Sequence, residues 1–459
     1  MNCIRVPQIL MPKKGTDLYK WSVVACDQFT SQPEYWTDAE SIVGDAPSTL
    51  KLILPEVYLG ADNEQEKVDE IHATMKKYVD EGILEPVEKG FVLVERNVGR
   101  DYCRNGLVVS VDLETYEYKK GAGSLIRPTE MTVEERIPPR LKVRQTANLE
   151  LPHIMLLIDD PECSIIEPLI ERKDEFTKLY DTDLMKNGGH ISGYLIEEGE
   201  ETELLMEKLE ALAEPETFKK KYNLTKDYPL LNFAVGDGNH SMATAKAAWE
   251  NIKSGLTEEE IENHPARFCL CEIVNIHDKS LEIEPIHRVL FDIAEDDLIK
   301  EAEKYYSANG CKFNCGQNYP KLNDLKKSET DAYGEIPKGA MDNTDKENVE
   351  IHEFILCSAK GYRKLEVKEP AWGIPVATLQ SFLDDYLKSH QEAKIDYIHG
   401  EDVVKELSAR EGNVGFILPE VEKEDLFIGV IKDGVLPRKT FSMGEAFEKR
   451  YYMECKSVR

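Results

Sequence analysis

The chain has 459 residues, 41% of them apolar, with 87 acidic and 57 basic side chains and a formal net charge of −30. That length exceeds what one simple core organises, so two or three lobes are expected. The acidity excludes a surface built to grip nucleic acid or an anionic membrane, each of which needs a basic stripe. A small anionic ligand stays allowed, because it needs only a local positive pocket.

The opening residues, Met1-Asn2-Cys3-Ile4-Arg5-Val6, lack the basic start and apolar run of a secretory signal. No stretch approaches the roughly 18 apolar residues of a membrane helix. A soluble, cytoplasmic protein is the expectation. The ten cysteines show no paired C-x-x-C units, so they read as reduced thiols and not as a zinc or disulfide framework.

In chain order, Trp21 to Cys26 and Leu50 to Leu54 are apolar runs of strand length. A helix follows, opened by Asp62 and Gln65 as a capping box, striped by Val68, Ile71, Met75 and Tyr78/Val79, and ended by Gly82. Phe91 to Glu95 and Leu107 to Leu113 read as strands. Residues 118–149 then gather Arg127, Arg136, Arg140, Lys142 and Arg144 among prolines that interrupt any long helix. His153 to Ile158 returns to strand, helices are expected over 162–179 and 201–221, and Leu230 to Val235 is a buried strand feeding a helix over 242–252. Arg267 to Ile276 and Leu281 to Ile286 read as a strand pair, with a helix near 295–307. Residues 309–348 are polar and read as an insertion or linker. Strands near 350–367 and a helix over 376–388 open the last α/β segment. The fold class is thus α/β with mixed sheets and several lobes. Residues 1–308 form the main region, and a C-terminal lobe over 349–459 contributes to the same site.

The chemistry concentrates where the strand ending at Val235 meets Gly236-Asp237-Gly238-Asn239-His240-Ser241. A strand, a glycine turn and a helix start leave free N–H groups and a favourable helix dipole for an anion. Gly236 and Gly238 allow unusual backbone angles and close approach of a ligand. Asp237 and His240 add a base and a titratable donor. The alternative is a plain turn capped by Asn239 or Ser241. Asp27, at the end of an apolar run, is a second candidate base, or else a turn residue. Arg127, Arg140 and Arg144 form a phosphate clamp or a solvated loop paired with neighbouring glutamates. His287 and Arg288 alternate sides if they lie on a strand, so one of them faces a ligand. Arg438 and Lys439 sit in a basic turn. No Walker loop, G-x-G-x-x-G, G-x-S-x-G or H-E-x-x-H occurs, which disfavours P-loop kinases, Rossmann dehydrogenases, α/β-hydrolases and zincins.

Five segments carry a resemblance: Val24-Ala25-Cys26-Asp27-Gln28-Phe29, the 236–241 turn, Pro285-Ile286-His287-Arg288, Ile395-Asp396-Tyr397-Ile398-His399-Gly400, and Pro437-Arg438-Lys439. In that order the chain resembles family number 1015 of the domains of unknown function. The turn is similar to that of the ParB/sulfiredoxin-like group, which includes free-serine kinases and grips nucleotide phosphates at a helix start. Other branches commonly carry Arg where this chain has Ser241, so either another cation stands in (Lys246, Arg288, an arginine of 127–144, or Arg438/Lys439) or phosphate is not the ligand. The resemblance implies a phosphotransferase acting on serine or phosphoserine with ATP or ADP and Mg2+, a phosphatase using the same pocket, or a non-catalytic nucleotide or metabolite sensor. In the enzymatic readings Asp237, His240 and Asp27 are catalytic. Gly236, Gly238, Asn239, Ser241 and the basic residues hold phosphate. The partner is a small anionic molecule, with the metal ligands and oligomeric state left open.

Overall fold

The structure, a computed structural model, describes residues 3–99, 101–119, 121–326, 350–420, 423–437 and 439–459. It is a mixed α/β protein of two compact units. Met1–Glu282 and Met443–Arg459 form one, and Ile283–Ser442 forms the other.

The first unit is built on a nine-stranded mixed sheet among the described residues. Its strands are β1 (Ile4–Arg5), β2 (Gly90–Asn97), β3 (Arg104–Asp112), β4 (Ile126–Pro128), β5 (Met155–Ile158), β6 (Thr177–Leu184), β7 (Gly189–Glu197), β8 (Phe233–Asp237) and β9 (Phe268–Asn275). They run in the order β4-β8-β5-β9-β3-β2-β7-β6, with β1 paired to β3. The β4–β8 and β5–β9 ladders are parallel and the others antiparallel. Both faces are buried, and the period of two in a strand sorts side chains between them. In β2, Phe91 and Leu93 join one core with Leu156 and Phe233, while Val92 and Val94 join the other with Trp21 and Trp36. This explains why the central strands read as unbroken apolar runs.

Helix α1 (Glu64–Asp80) lies on one face and buries Val68, Ile71, Met75 and Tyr78, as its stripe requires. Val79 turns out to be exposed, and the N-cap is Asn63, without a side-chain cap. Helices α2 (Ile137–Arg144), α3 (Glu200–Ala211) and α4 (Asn239–Lys253) complete the elements used below.

Two expected strands are absent. Leu18–Trp21 is helical, and beyond it Val24 makes only an isolated bridge to Tyr451. Thr49–Leu52 is a 3-10 turn. These runs are apolar because the tail at 450–455 packs over them, and Trp21, Ser22, Ala25 and Tyr452 exchange hydrogen bonds across that contact. The helix expected over 162–179 shrinks to Glu167–Glu171, and a hairpin of β6 and β7 takes over from Thr177. Thr177, Tyr180 and Thr182 favour strand, and the mostly exposed side chains of this segment suit an edge.

The second unit has a seven-stranded sheet among the described residues: β10 (Ile283–Phe291), β11 (Lys312–Cys315), β12 (Ile351–Ser358), β13 (Gly361–Lys368), β14 (Lys394–His399), β15 (Val414–Ile417) and β16 (Phe441–Met443). Its order is β11-β13-β12-β15-β10-β14, with β16 on β10. Helices α5 (Glu295–Ala308), α6 (Pro375–Ser389) and α7 (Glu401–Ser408) pack on it. The division between units falls at Ile283 and not within 309–348. The described part of that polar stretch includes β11, hydrogen-bonded to β13, and so belongs to the sheet of the second unit. Residues 327–349 lie outside the described residues.

Candidate functional site

Strand β8 ends in the glycine turn, and Gly238, at φ +80° and ψ +27°, is the N-cap of α4. No side chain caps the helix there, so the first-turn N–H groups keep their preference for an anion. A Cβ at Gly238 would stand 3.1 Å from the Ile154 backbone and would need left-handed φ. Both conditions favour glycine. Asn239 and Ser241 do not act as the cap.

Around this turn the first unit gathers six charged side chains. Asp237 accepts from the Gly238 N–H at 3.0 Å and pairs with Lys449 at 3.1 Å. Helix α2 packs against α4. On it Arg140 donates to Glu56 through Nε at 2.7 Å and to the Arg136 carbonyl through Nη1 at 2.7 Å. Asp27 accepts from Gln28 at 3.0 Å. Arg136, Arg140 and Lys449 thus face Asp27, Glu56 and Asp237. The side chains balance, and the positive bias expected from the sequence comes from the backbone alone.

His240 accepts from the Val133 N–H through Nε2 at 3.3 Å, which puts the proton of the neutral ring on Nδ1. Burial pulls its pKa down to about 4, with Arg140 and Arg136 adding to the depression and Asp27 opposing it. At neutral pH it is therefore an uncharged donor.

Ser241 turns to the other side of the helix start. Its Oγ lies 2.7 Å from His153 Nε2, and His153 Nδ1 lies 2.8 Å from the Tyr452 hydroxyl. That hydroxyl also accepts from the Cys26 N–H at 3.2 Å. Burial and the neighbouring Cys26 push the Tyr452 hydroxyl well above its ordinary pKa. Burial and Asp27 do the same for the Cys26 thiol. A cavity of about 130 Å³ opens here, lined by Ser241, Thr244, His153, Arg140, Glu56 and Tyr452 together with apolar side chains of the 52–59 segment.

Of the residues expected to hold phosphate, Gly236, Gly238, Asn239, Ser241 and Arg140 converge on the turn. Arg144 lines the same cavity but is paired with Glu150, a carboxylate held low by Lys456 and Arg144 against its own burial. Arg127 is not brought to the turn. It is buried and donates to the Pro229 carbonyl ahead of β8, at the other end of the strand, and burial lowers its pKa to about 10. Lys246 is committed to the Leu113 carbonyl and Glu250.

His287, Arg288 and Lys439 belong to the second unit. His287 is buried on β10, accepts from the Leu418 N–H at 3.2 Å, and lines a cavity of about 470 Å³ with Glu284, Lys326, Glu353 and Glu401. Arg288, fully buried, donates to Gln380 at 3.0 Å and lies over the Tyr397 ring. The two do alternate sides. Lys439 is exposed at φ +59°, and Arg438 lies outside the described residues.

Nothing local in the sequence marks His153, Tyr452, Glu56 and Lys449 as site residues. His153 opens an apolar strand and Tyr452 sits in an aromatic tail, with no local pattern to join residues 299 positions apart.

These features define a two-unit α/β protein with a strand–glycine turn–helix junction whose helix start carries no side-chain cap. The chain belongs to a family of proteins of unknown function, DUF1015, whose model matches residues 10–386. No curated protein matches it. Among solved structures it is similar to a free serine kinase variant in complex with AMP, at 12% identity and a TM-score of 0.36 over 75% of this chain and 90% of that one. A conserved hypothetical protein from Pyrococcus furiosus aligns at 12% identity and a TM-score of 0.32, covering 75% and 93%. SbnI from Staphylococcus aureus aligns at 7% and 0.31, covering 73% and 82%. At these scores the likeness is remote. No helix among the described residues is long and apolar enough to cross a membrane.

Proposed function

We propose that the protein is a phosphoryl-transfer enzyme acting on a small, hydroxyl-bearing, amino-acid-like molecule with a nucleotide. The observation that carries this reading is the uncapped first turn of α4, set in a charge-balanced patch of a chain whose net charge is −30. Backbone N–H groups at 239–241 hold phosphate oxygens, and Arg140 and Arg136 offset charge developing on the transferred group. Asp237 or Asp27 takes the proton of the substrate hydroxyl, and His240, neutral with Nδ1–H, orients or donates.

The cavity of about 130 Å³ is smaller than the roughly 300–1,000 Å³ of pockets that enclose drug-sized ligands. It suits a serine-sized substrate or a phosphoryl group, with the base and sugar of a nucleotide outside it. Magnesium would come with the nucleotide, held mainly by phosphate oxygens and water. Serine as the acceptor rests on the motif resemblance.

The test is to incubate the protein with ATP or ADP and serine, and separately with phosphoserine, and to follow phosphate by phosphorus NMR. Transfer between nucleotide and serine supports the reading. Hydrolysis of phosphoserine without nucleotide would make it a phosphatase. Saturable nucleotide binding with no phosphate movement would make it a sensor.

A further inference from the structure

We propose that Ser241 is an activated nucleophile, with His153 as its base and Tyr452 as the residue that positions His153, and that the transferred phosphoryl group rests covalently on Ser241 before it reaches its acceptor. The electrophile in this proposal rests on the phosphoryl-transfer reading, whereas the nucleophile rests on geometry alone.

That geometry has three parts. Ser241 Oγ and His153 Nε2 are 2.7 Å apart, within the range for a nucleophile and its base. The Tyr452 hydroxyl lies 2.8 Å from His153 Nδ1 and 3.2 Å from the Cys26 N–H, and its ring meets the imidazole edge-on at 5.4 Å. Tyrosine oxygen offers two lone pairs. In the proposal the Tyr452 oxygen accepts from the Cys26 N–H and from the His153 Nδ1–H, which leaves Nε2 as acceptor for the Ser241 hydroxyl. Finally, Ser241 and His153 both line the cavity, so the pair opens on space where a substrate fits. A serine used only to cap the helix would have no need of a histidine oriented from behind. Ser241, third residue of α4, also carries one of the first-turn N–H groups suited to a phosphoryl oxygen.

Ser241 Oγ attacks the terminal phosphorus of a nucleoside triphosphate. The Oγ–P bond forms, the bond from phosphorus to the bridging oxygen breaks, the nucleoside diphosphate leaves with that electron pair, and the Oγ proton passes to His153 Nε2. In the second half the acceptor hydroxyl attacks phosphorus and loses its proton to Asp237 or Asp27, the two bases of the phosphoryl-transfer reading. The Oγ–P bond breaks and His153 returns its proton to Ser241.

The experiment uses the full chain, with S241A and H153A beside it, in two arms read by intact and peptide mass spectrometry. One arm supplies ATP and the other a fluorophosphonate probe. The expected result is one phosphoryl or phosphonyl group per chain on Ser241, none at that position in S241A, and at least a tenfold slower labelling in H153A that added imidazole restores. Fluorophosphonate on Ser241 without any ATP turnover would keep the nucleophile and remove the phosphoryl-transfer reading. Transfer to serine at an unchanged rate in S241A would overturn the covalent step and keep that reading. Failure of the probe to label Ser241 in a folded protein would overturn the proposal itself.

Discussion

Two groups of charges in the first unit make an instructive pair. Arg450, Glu272 and Glu454 are sealed in the core: Arg450 pairs with Glu272, bonds Glu454 at 2.5 Å, and donates to the Pro152 carbonyl at 2.9 Å. The carboxylate of Glu272 is held low by Arg450 and Arg104 against its own burial. In the group at the turn, Asp237 pairs with Lys449 and Arg140 with Glu56, beside Arg136 and Asp27, and all six side chains are half-buried or exposed. Sealed charges hold the strand β9 to the returning tail. Open charges can exchange a protein partner for a ligand. Desolvation, more than charge count, separates the two.

The sharpest way to break this contrast is to remove a sealed partner. E272Q leaves Arg450 short of a counterion, and about 3–5 kcal/mol of stability should be lost, read as a lower urea midpoint. A midpoint equal to wild type would mean that the cluster is not sealed. Next, D237N keeps the acceptor for the Gly238 N–H but removes the base, so transfer should fall at least about 100-fold while the fold holds. Full activity in D237N would shift the role of base to Asp27. R140A acts within the open group, where Arg140 holds Glu56. Phosphate or nucleotide affinity should fall about tenfold, or about 1.4 kcal/mol, by calorimetry. Unchanged affinity would place the anion elsewhere.

The smallest effect is in pH. The folded pKa of His240 lies near 4, below the usual value of 6.5, so the unfolded chain binds its proton first as pH falls. The neutral ring's contribution is present above about 6.5 and is lost between there and about 4. H240Q should flatten the stability slope in that window in acid titrations followed by circular dichroism. An identical slope would show the ring to be solvated.

The turn was legible because everything that builds it is local: an apolar strand, two glycines and strong helix formers within about twenty residues. The helix over 295–307 was equally plain, since its stripe falls on consecutive turns. The strand reading of Trp21–Cys26 failed because burial by a distant segment looks the same in sequence as burial in a sheet. The partners of Ser241 stayed hidden for a related reason, as one of them arrives from the last ten residues of the chain. Arg127 misled because a run of arginines reads alike whether each faces a ligand or a backbone carbonyl.

The tail at 443–459 belongs to the first unit although the whole second unit is synthesised before it. It supplies Lys449 to Asp237, Arg450 to the sealed cluster, and Tyr452 to His153. Domains ordinarily fold from the N-terminus as they leave the ribosome. Here the first 282 residues emerge without the segment that fills their core, and must wait for it. A nascent chain stalled before residue 443 therefore carries the glycine turn without Lys449 beside Asp237 or Tyr452 beside His153.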